Sequence, residues 1–86
     1  MRASHILVET LAQAEIIKAE ANALNFGQLA FQHSKCPSKA KGGDLGDFGP
    51  GQMVKPFEDA TIATPIGSIS QPVQTQFGYH LIHRTA

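Results

Sequence analysis

The segment GGDLGDFGPGQMVKPF, residues 42–57, carries five of the eight glycines of the chain and sets them among apolar side chains. Glycine tolerates positive φ and close backbone approach, so this run predicts tight turns around a short strand. A flexible linker would have no use for the apolar residues. We therefore expect a loop that folds over a small hydrophobic hollow, with Leu45, Met53 and Phe57 turned inward. The alternative is a glycine-rich connection whose apolar residues fill the core.

Length and composition limit the classes of protein to which the chain can belong. Its 86 residues suffice for a single domain with one modest core, which we place at residues 1–86. The formal net charge is zero, so no global field would attract nucleic acid or an acidic membrane. Cys36 is the only cysteine, and no segment resembles a membrane span or a signal peptide. We expect a cytoplasmic protein without an internal disulfide.

The first helix is predicted from a capping signal and from apolar spacing. Thr10 and Gln13 can form a capping box, in which each side chain binds the backbone N–H of the other residue. Apolar residues then recur at helical spacing as far as Leu24. The pattern predicts an amphipathic helix over residues 10–24 with Leu24 on its inner face.

Two further helices follow from capping residues and from proline. Asn25 is expected to cap the second helix, in which His33 shares the inner stripe and Phe31 is partly exposed. Pro56 suits the first turn of a third helix that ends near Ala63.

Four strands are predicted from alternating side chains. Alternation places His5 in the first strand and His80 in the last. Pro72 lacks an amide hydrogen, so its strand belongs at a sheet edge or at a bulge. The element order is β-α-α-β-α-β-β, which predicts an α+β fold with a four-stranded, mostly antiparallel sheet surrounded by helices. The predicted strands are residues 4–8, 44–48, 69–75 and 79–84.

Histidine and cysteine spacing raises the question of a metal site. The spacings His33-x2-Cys36 and His80-x2-His83 are typical of metal ligands. Residues three apart on a strand, however, face opposite sides of the sheet, so His80 and His83 cannot easily bind one ion. We expect no metal site.

A histidine pair is the more coherent arrangement. If the first and last strands are neighbours, His5 and His80 can meet, and Ser4, Thr75 and Tyr79 can supply further hydrogen bonds. The alternative is two separate histidines that are each satisfied locally. A single cysteine such as Cys36 is, by default, a small buried residue.

Six segments resemble the parvulin peptidyl-prolyl cis/trans isomerases, and they occur in the order that this family shows. Each is weak alone, but together they cover nearly the whole chain and are highly specific. The resemblance is to small stand-alone prokaryotic parvulins, and it implies the parvulin (FKBP-like) fold with no cofactor. The segments are SHILV at 4–8, FGQLA at 26–30, SKC at 34–36, GGDLG at 42–46, GQMVKPF at 51–57 and FGYH at 77–80.

The resemblance also implies roles for individual residues. The substrate-binding residues, which form the proline pocket and its adjoining wall, are expected to be Leu45, Met53, Phe57 and Phe77. The catalytic residues, which surround the susceptible amide, are expected to be His5, Cys36, Thr75 and His80. Some members of the family carry Asp at the position of Cys36, so we favour a non-covalent role for its sulfur.

The expected substrates are proline-containing peptides and unfolded or partly folded proteins, on which a monomer would act to assist folding. The phosphate-directed branch of the family carries basic residues between the first strand and the first helix. This chain has Val8-Glu9-Thr10 there, so we expect unmodified substrates. Lys35, Lys39 and Lys41 either favour an acidic substrate residue or form a solvated loop face. A rival interpretation is a binding module without turnover, although the expected catalytic set is complete.

Overall fold

A computed structural model describes residues 1–86 as four strands, three α-helices and one short 3₁₀ helix. The elements are β1 (Arg2–Val8), α1 (Leu11–Glu20), α2 (Phe26–His33), the 3₁₀ helix (Pro37–Lys41), β2 (Asp44–Asp47), α3 (Lys55–Ala63), β3 (Val73–Thr75) and β4 (Gly78–Arg84). The strands form one sheet in the order β2-β1-β4-β3, and every neighbouring pair is antiparallel. The predicted α+β class and element order are confirmed, with the 3₁₀ helix lying in a segment predicted as loop.

The two faces of the sheet support separate hydrophobic clusters, because successive side chains of a strand point to opposite faces. The cluster against α1 and α2 comprises Ile6, Val8, Ala14, Ile17, Phe26, Leu29, Ala30 and Leu81. The cluster beneath α3 comprises Ala3, Phe48, Phe57 and Ile82. His5 and His80 lie on this second face, where the ring of Phe57 packs edge-on against both imidazoles.

Helix α1 begins as predicted and ends earlier than predicted. The Thr10 hydroxyl accepts a hydrogen bond from the Gln13 N–H (3.2 Å), and the Gln13 side chain accepts one from the Thr10 N–H (3.1 Å). The capping box is therefore confirmed. The helix ends at Glu20, however, and the inward position predicted for Leu24 is wrong, because its side chain is 97% exposed.

Two asparagines account for the early end of α1. The Asn22 side chain accepts hydrogen bonds from the N–H groups of Leu24 and Asn25 (2.8 and 2.9 Å), and the Asn25 side chain donates to the Glu20 carbonyl (2.8 Å). Such side chains compete with helical hydrogen bonds and favour turns. Asn25 occupies the N-cap position of α2, as predicted, but its side chain makes no capping hydrogen bond to that helix.

The predicted exposure of two residues on α2 is correct for Phe31 and wrong for His33. Phe31 is 63% exposed, as expected. His33 is exposed rather than part of the inner stripe, because it lies in the last turn of α2 and lines an open surface pocket beside Val8 and Ile17.

The strand predicted at residues 69–75 is interrupted. Ile69 makes an isolated bridge with His83, and β3 begins only at Val73, directly after Pro72. The predicted edge location is correct, because β3 is the outermost strand beside β4. None of the helices combines the length and apolar character needed to cross a membrane.

Candidate functional site

Glycines in the loop before β2 let the chain lie directly against β1. The His5 N–H donates to the Gly43 carbonyl (2.9 Å), and Gly43 has a φ of 83°. A Cβ atom added at Gly43 would lie 2.3 Å from the His5 carbonyl oxygen, which no real side chain could tolerate. Only glycine at position 43 therefore allows the loop to lie this close to the strand that carries His5.

An apolar pocket opens between this loop, α3 and the end of β1. Its volume is about 500 Å³, within the range of small-molecule and peptide side-chain sites. Phe57 is buried at its base, whereas Phe77 stands 60% exposed beside it. The lining residues are His5, Leu7, Lys35, Cys36, Pro37, Leu45, Gln52, Met53, Val54, Phe57, Phe77 and His80. Leu45, Met53 and Phe57, which the sequence analysis placed in the hollow, thus all line this pocket.

The two histidines meet across the central strands of the sheet. In the pairing of β1 with β4, Leu7 lies opposite His80 and His5 lies opposite Ile82, so the two imidazoles occupy adjacent positions of one face. Their Nδ1 atoms are 2.9 Å apart, and their rings are stacked with an interplanar angle of 18°. The expected histidine pair is therefore present, rather than two histidines satisfied separately.

Thr75 extends this pair into a chain of hydrogen bonds. Its hydroxyl lies 2.7 Å from His80 Nε2 and also accepts from the Phe77 N–H (3.2 Å). Because both ring nitrogens of His80 are engaged, the tautomer of one imidazole determines that of the other. Ser4 and Tyr79 make no hydrogen bond to either imidazole, so the expectation that they join the network is wrong.

Burial keeps both imidazoles neutral. Each histidine is only 4% exposed, and desolvation lowers the pKa of His80 to about 4. The pKa of His5 is also lowered to about 4, by burial first and by the charge of His80 second. His5 Nε2 is buried and has no hydrogen-bond partner in the protein. The histidine pair therefore forms an uncharged part of the pocket lining.

Ser34 positions Cys36, a role that the sequence patterns did not reveal. The Ser34 hydroxyl accepts hydrogen bonds from the N–H groups of Leu7 (3.0 Å) and Cys36 (3.3 Å), and Ser34 is only 3% exposed. This bridge ties the loop that carries Cys36 to β1. The signal available in the sequence was the serine two residues before the only cysteine.

The remaining histidines lie apart from the pair. His33 is exposed on α2, and the His83 ring packs against Phe26 on the opposite face of the sheet. The structure contains no group of three or more His, Cys, Asp or Glu side chains placed to hold a metal ion.

The fold, the apolar pocket and the six motifs are those of a parvulin-type domain. The family model described as "Rotamase: PPIC-type PPIASE domain" matches residues 5–86. The chain belongs to that family.

Similar proteins and structures agree with this assignment. The foldase protein PrsA of Geobacillus sp. (strain WCH70) is 51% identical over 99% of this chain and 32% of PrsA. The solution structure of NmPin, the parvulin of Nitrosopumilus maritimus, has a TM-score of 0.82 and 41% identity over 100% of this chain and 95% of NmPin. A structure reported for the SurA-like chaperones PEB4 and Cj1289 of Campylobacter jejuni has a TM-score of 0.94 and 41% identity over 99% of this chain and 37% of that protein. The chain thus spans about a third of the length of its PrsA relative.

Proposed function

We propose that this isomerase accelerates Xaa-Pro rotation in unmodified polypeptides and so assists their folding. The observation that supports it is the charge of the pocket. Lys35 is the only formally charged side chain among the lining residues, and its ammonium group is bound by Glu9 at 2.8 Å. A phosphoserine before the proline would find no free cationic cluster there and would face the Glu9 carboxylate.

The chemistry requires no bond to break. Partial double-bond character gives the prolyl amide a rotation barrier of roughly 18 to 20 kcal/mol, and lowering it by about 7 kcal/mol accelerates exchange about a hundred-thousandfold. The twisted amide has less charge separation than the planar one. An apolar pocket that removes water therefore penalises the twisted amide less than the ground state.

Each part of the site has a distinct role in this proposal. The proline ring packs among Leu45, Met53 and Phe57 while the preceding carbonyl turns. Phe77 covers the open side. The neutral histidine pair, held by Thr75, sets the polarity around Cys36, whose sulfur stays electron-rich and does not attack the carbonyl.

The proposal extends to the substrates, the oligomeric state and the cellular location of the protein. The relative PrsA is described as a foldase, which supports unfolded or partly folded proteins as substrates. We also propose that the protein acts as a monomer. Cys36 is a free thiol, which supports a reducing, cytoplasmic environment. Analytical ultracentrifugation and fractionation of cells that express the native gene test these two points.

Exchange spectroscopy by NMR tests the activity directly. Short peptides with Leu, Ala, Glu or phosphoserine before proline are mixed with catalytic amounts of the protein. We expect faster cis/trans exchange for the Leu and Ala peptides than for the phosphoserine peptide. Faster exchange for the phosphoserine peptide would contradict the proposed specificity.

A second candidate function is binding of proline-containing segments without useful turnover. The similarity to SurA-like chaperones favours it. The same samples distinguish the two functions, because binding without catalysis would shift or broaden peptide signals and leave the exchange rates of all peptides unchanged.

A further inference from the structure

The rim of the pocket carries an ion pair whose two members come from different segments. Lys35 lies in the loop after α2, next to Cys36, and Glu9 lies in the junction between β1 and α1. The Lys35 N–H donates to the Leu7 carbonyl (2.8 Å), so the backbone of Lys35 is fixed against β1. The fold therefore fixes the main chain of Lys35 beside the pocket, and the Lys35 side chain lines it.

The pair is poised to exchange partners. The Lys35 and Glu9 side chains are 53% and 67% exposed, and the hydrogen bond and charge of Lys35 lower the pKa of Glu9. Ion pairs at this exposure are weak, so another carboxylate can replace Glu9 at little cost. Of the two groups, only Lys35 lines the pocket, whereas Glu9 approaches it from outside.

We propose that Lys35 and Glu9 together set the charge preference for the substrate residue next to proline, with Glu9 as an internal counter-ion that an acidic substrate side chain replaces. The inference rests on the proposed isomerase function and refines its substrate class. With Glu9 present, Lys35 is neutralised and the pocket favours uncharged neighbours of proline. Without Glu9, Lys35 is free to bind an acidic neighbour.

The test is a double-mutant cycle of Glu9 and Lys35. For each variant, the measured quantity is the ratio of kcat/KM for an acidic peptide to that for a matched neutral peptide. Exchange spectroscopy gives kcat/KM for two peptides that differ only by Glu or Gln before proline, so their ratio isolates the charge. In Glu9→Gln we expect this ratio to rise about two- to fivefold, the range that an exposed ion pair allows. In Lys35→Gln it falls by a similar factor, because Glu9 then repels the acidic peptide. In the double variant it returns close to the wild-type value.

Two controls separate a local effect from a change of net charge. Glu20→Gln makes the same change of charge roughly 15 Å farther along α1, beyond the screening length at physiological salt, and should leave the ratio unchanged. At about 1 M salt, where the screening length is about 3 Å, the rise in Glu9→Gln should disappear. An identical ratio in the wild type and in all three variants of the cycle would overturn the inference.

Failure of the proposed function itself would look different. No acceleration of any peptide, including the Leu peptide, would overturn the isomerase activity. Chemical-shift titration of the same Glu and Gln peptides would then give a ratio of dissociation constants. That ratio is expected to follow the same pattern across the cycle, and an unchanged ratio would overturn the charge inference independently.

Discussion

The Nδ1 atoms of His5 and His80 lie 2.9 Å apart, although the two residues are separated by 75 positions in the chain. The contact arises because the first and last strands are the two central strands of the sheet. Their side chains meet on the face covered by α3, where the ring of Phe57 packs edge-on against both imidazoles. The pair is therefore a product of the whole topology rather than of a local motif.

Stability should depend on pH through this pair. The pKa of each imidazole is about 4 in the folded state and 6.5 in its ordinary environment, so the unfolded chain binds more protons between these values. The free energy of unfolding should therefore fall as the pH drops from about 6.5 to about 4, by on the order of 3 kcal/mol for one imidazole. Urea denaturation at several pH values measures this.

The carboxyl groups limit the pH range over which this experiment reports the histidines, and a histidine variant provides its control. The carboxyl groups of Glu9 and Asp44 have lowered pKa values, so their contributions are lost only at more acidic pH. The slope between about pH 6.5 and 5 thus reports the histidines. His33→Gln, which removes an exposed imidazole, should preserve the slope. A constant free energy of unfolding across this range in the wild type would contradict the prediction.

Replacing Thr75 by Val should disturb the site more than the fold. The change removes the oxygen that lies 2.7 Å from His80 Nε2 and that accepts from the Phe77 N–H. We expect a loss of about 1 to 2 kcal/mol in the free energy of unfolding and a roughly tenfold lower kcat/KM. Thr75→Ser retains the oxygen and should behave nearly as wild type. Equal loss of turnover in both variants would show that the hydroxyl is not the cause.

Phe77 and Phe31 form a matched pair for testing the pocket wall. Their side chains are similarly exposed, at 60% and 63%, but only Phe77 lines the pocket. Phe77→Ala should reduce kcat/KM for a Leu-Pro peptide roughly three- to tenfold, because apolar contact with the substrate is lost. Phe31→Ala should leave kcat/KM unchanged. Both should change the free energy of unfolding by less than about 0.5 kcal/mol.

Alanine substitutions at Gly43 and Gly51 can distinguish the cost of backbone strain from the cost of a steric collision. Their φ angles are 83° and 82°, but a Cβ at Gly43 would strike the His5 carbonyl whereas one at Gly51 would meet no atom within 4 Å. Gly51→Ala should cost about 1 to 2 kcal/mol, the left-handed penalty alone. Gly43→Ala should cost at least about 2 kcal/mol more. Similar midpoints of urea denaturation for the two variants would contradict this account.

Substitution of Cys36 tests the non-covalent role of its sulfur. Cys36→Asp replaces the thiol by an electron-rich oxygen that cannot form the same covalent adduct. We expect a folded protein that retains measurable acceleration of Leu-Pro exchange. Near-complete loss of turnover, with an unchanged NMR spectrum elsewhere, would favour nucleophilic attack by the sulfur.

Local patterns predicted the faces of the strands well. Alternation alone assigned His5 and His80 to the same side as their apolar neighbours, because a strand has a period of two residues. The glycine-rich run likewise predicted a loop folded over a hollow. These features follow from rules that act within a few residues, and the structure shows the corresponding geometry.

Features that depend on competing or distant interactions were missed. Apolar spacing extended the first helix to Leu24, because a periodic pattern gives no account of the side-chain bonds by which Asn22 forms a turn. The Ser34 bridge and the Glu9–Lys35 ion pair join segments brought together by the sheet. Residue types alone did not indicate these partners, because their proximity depends on the register of β1.

The central position of the first and last strands also has a consequence for biosynthesis. A ribosome releases the His5 strand long before the His80 strand, and the histidine pair can form only after both have emerged and paired. Pairing of strands so distant in sequence is also among the slower steps of folding. The nascent chain therefore carries no assembled active centre, and any fragment that lacks either strand is expected to be inactive even if its helices form.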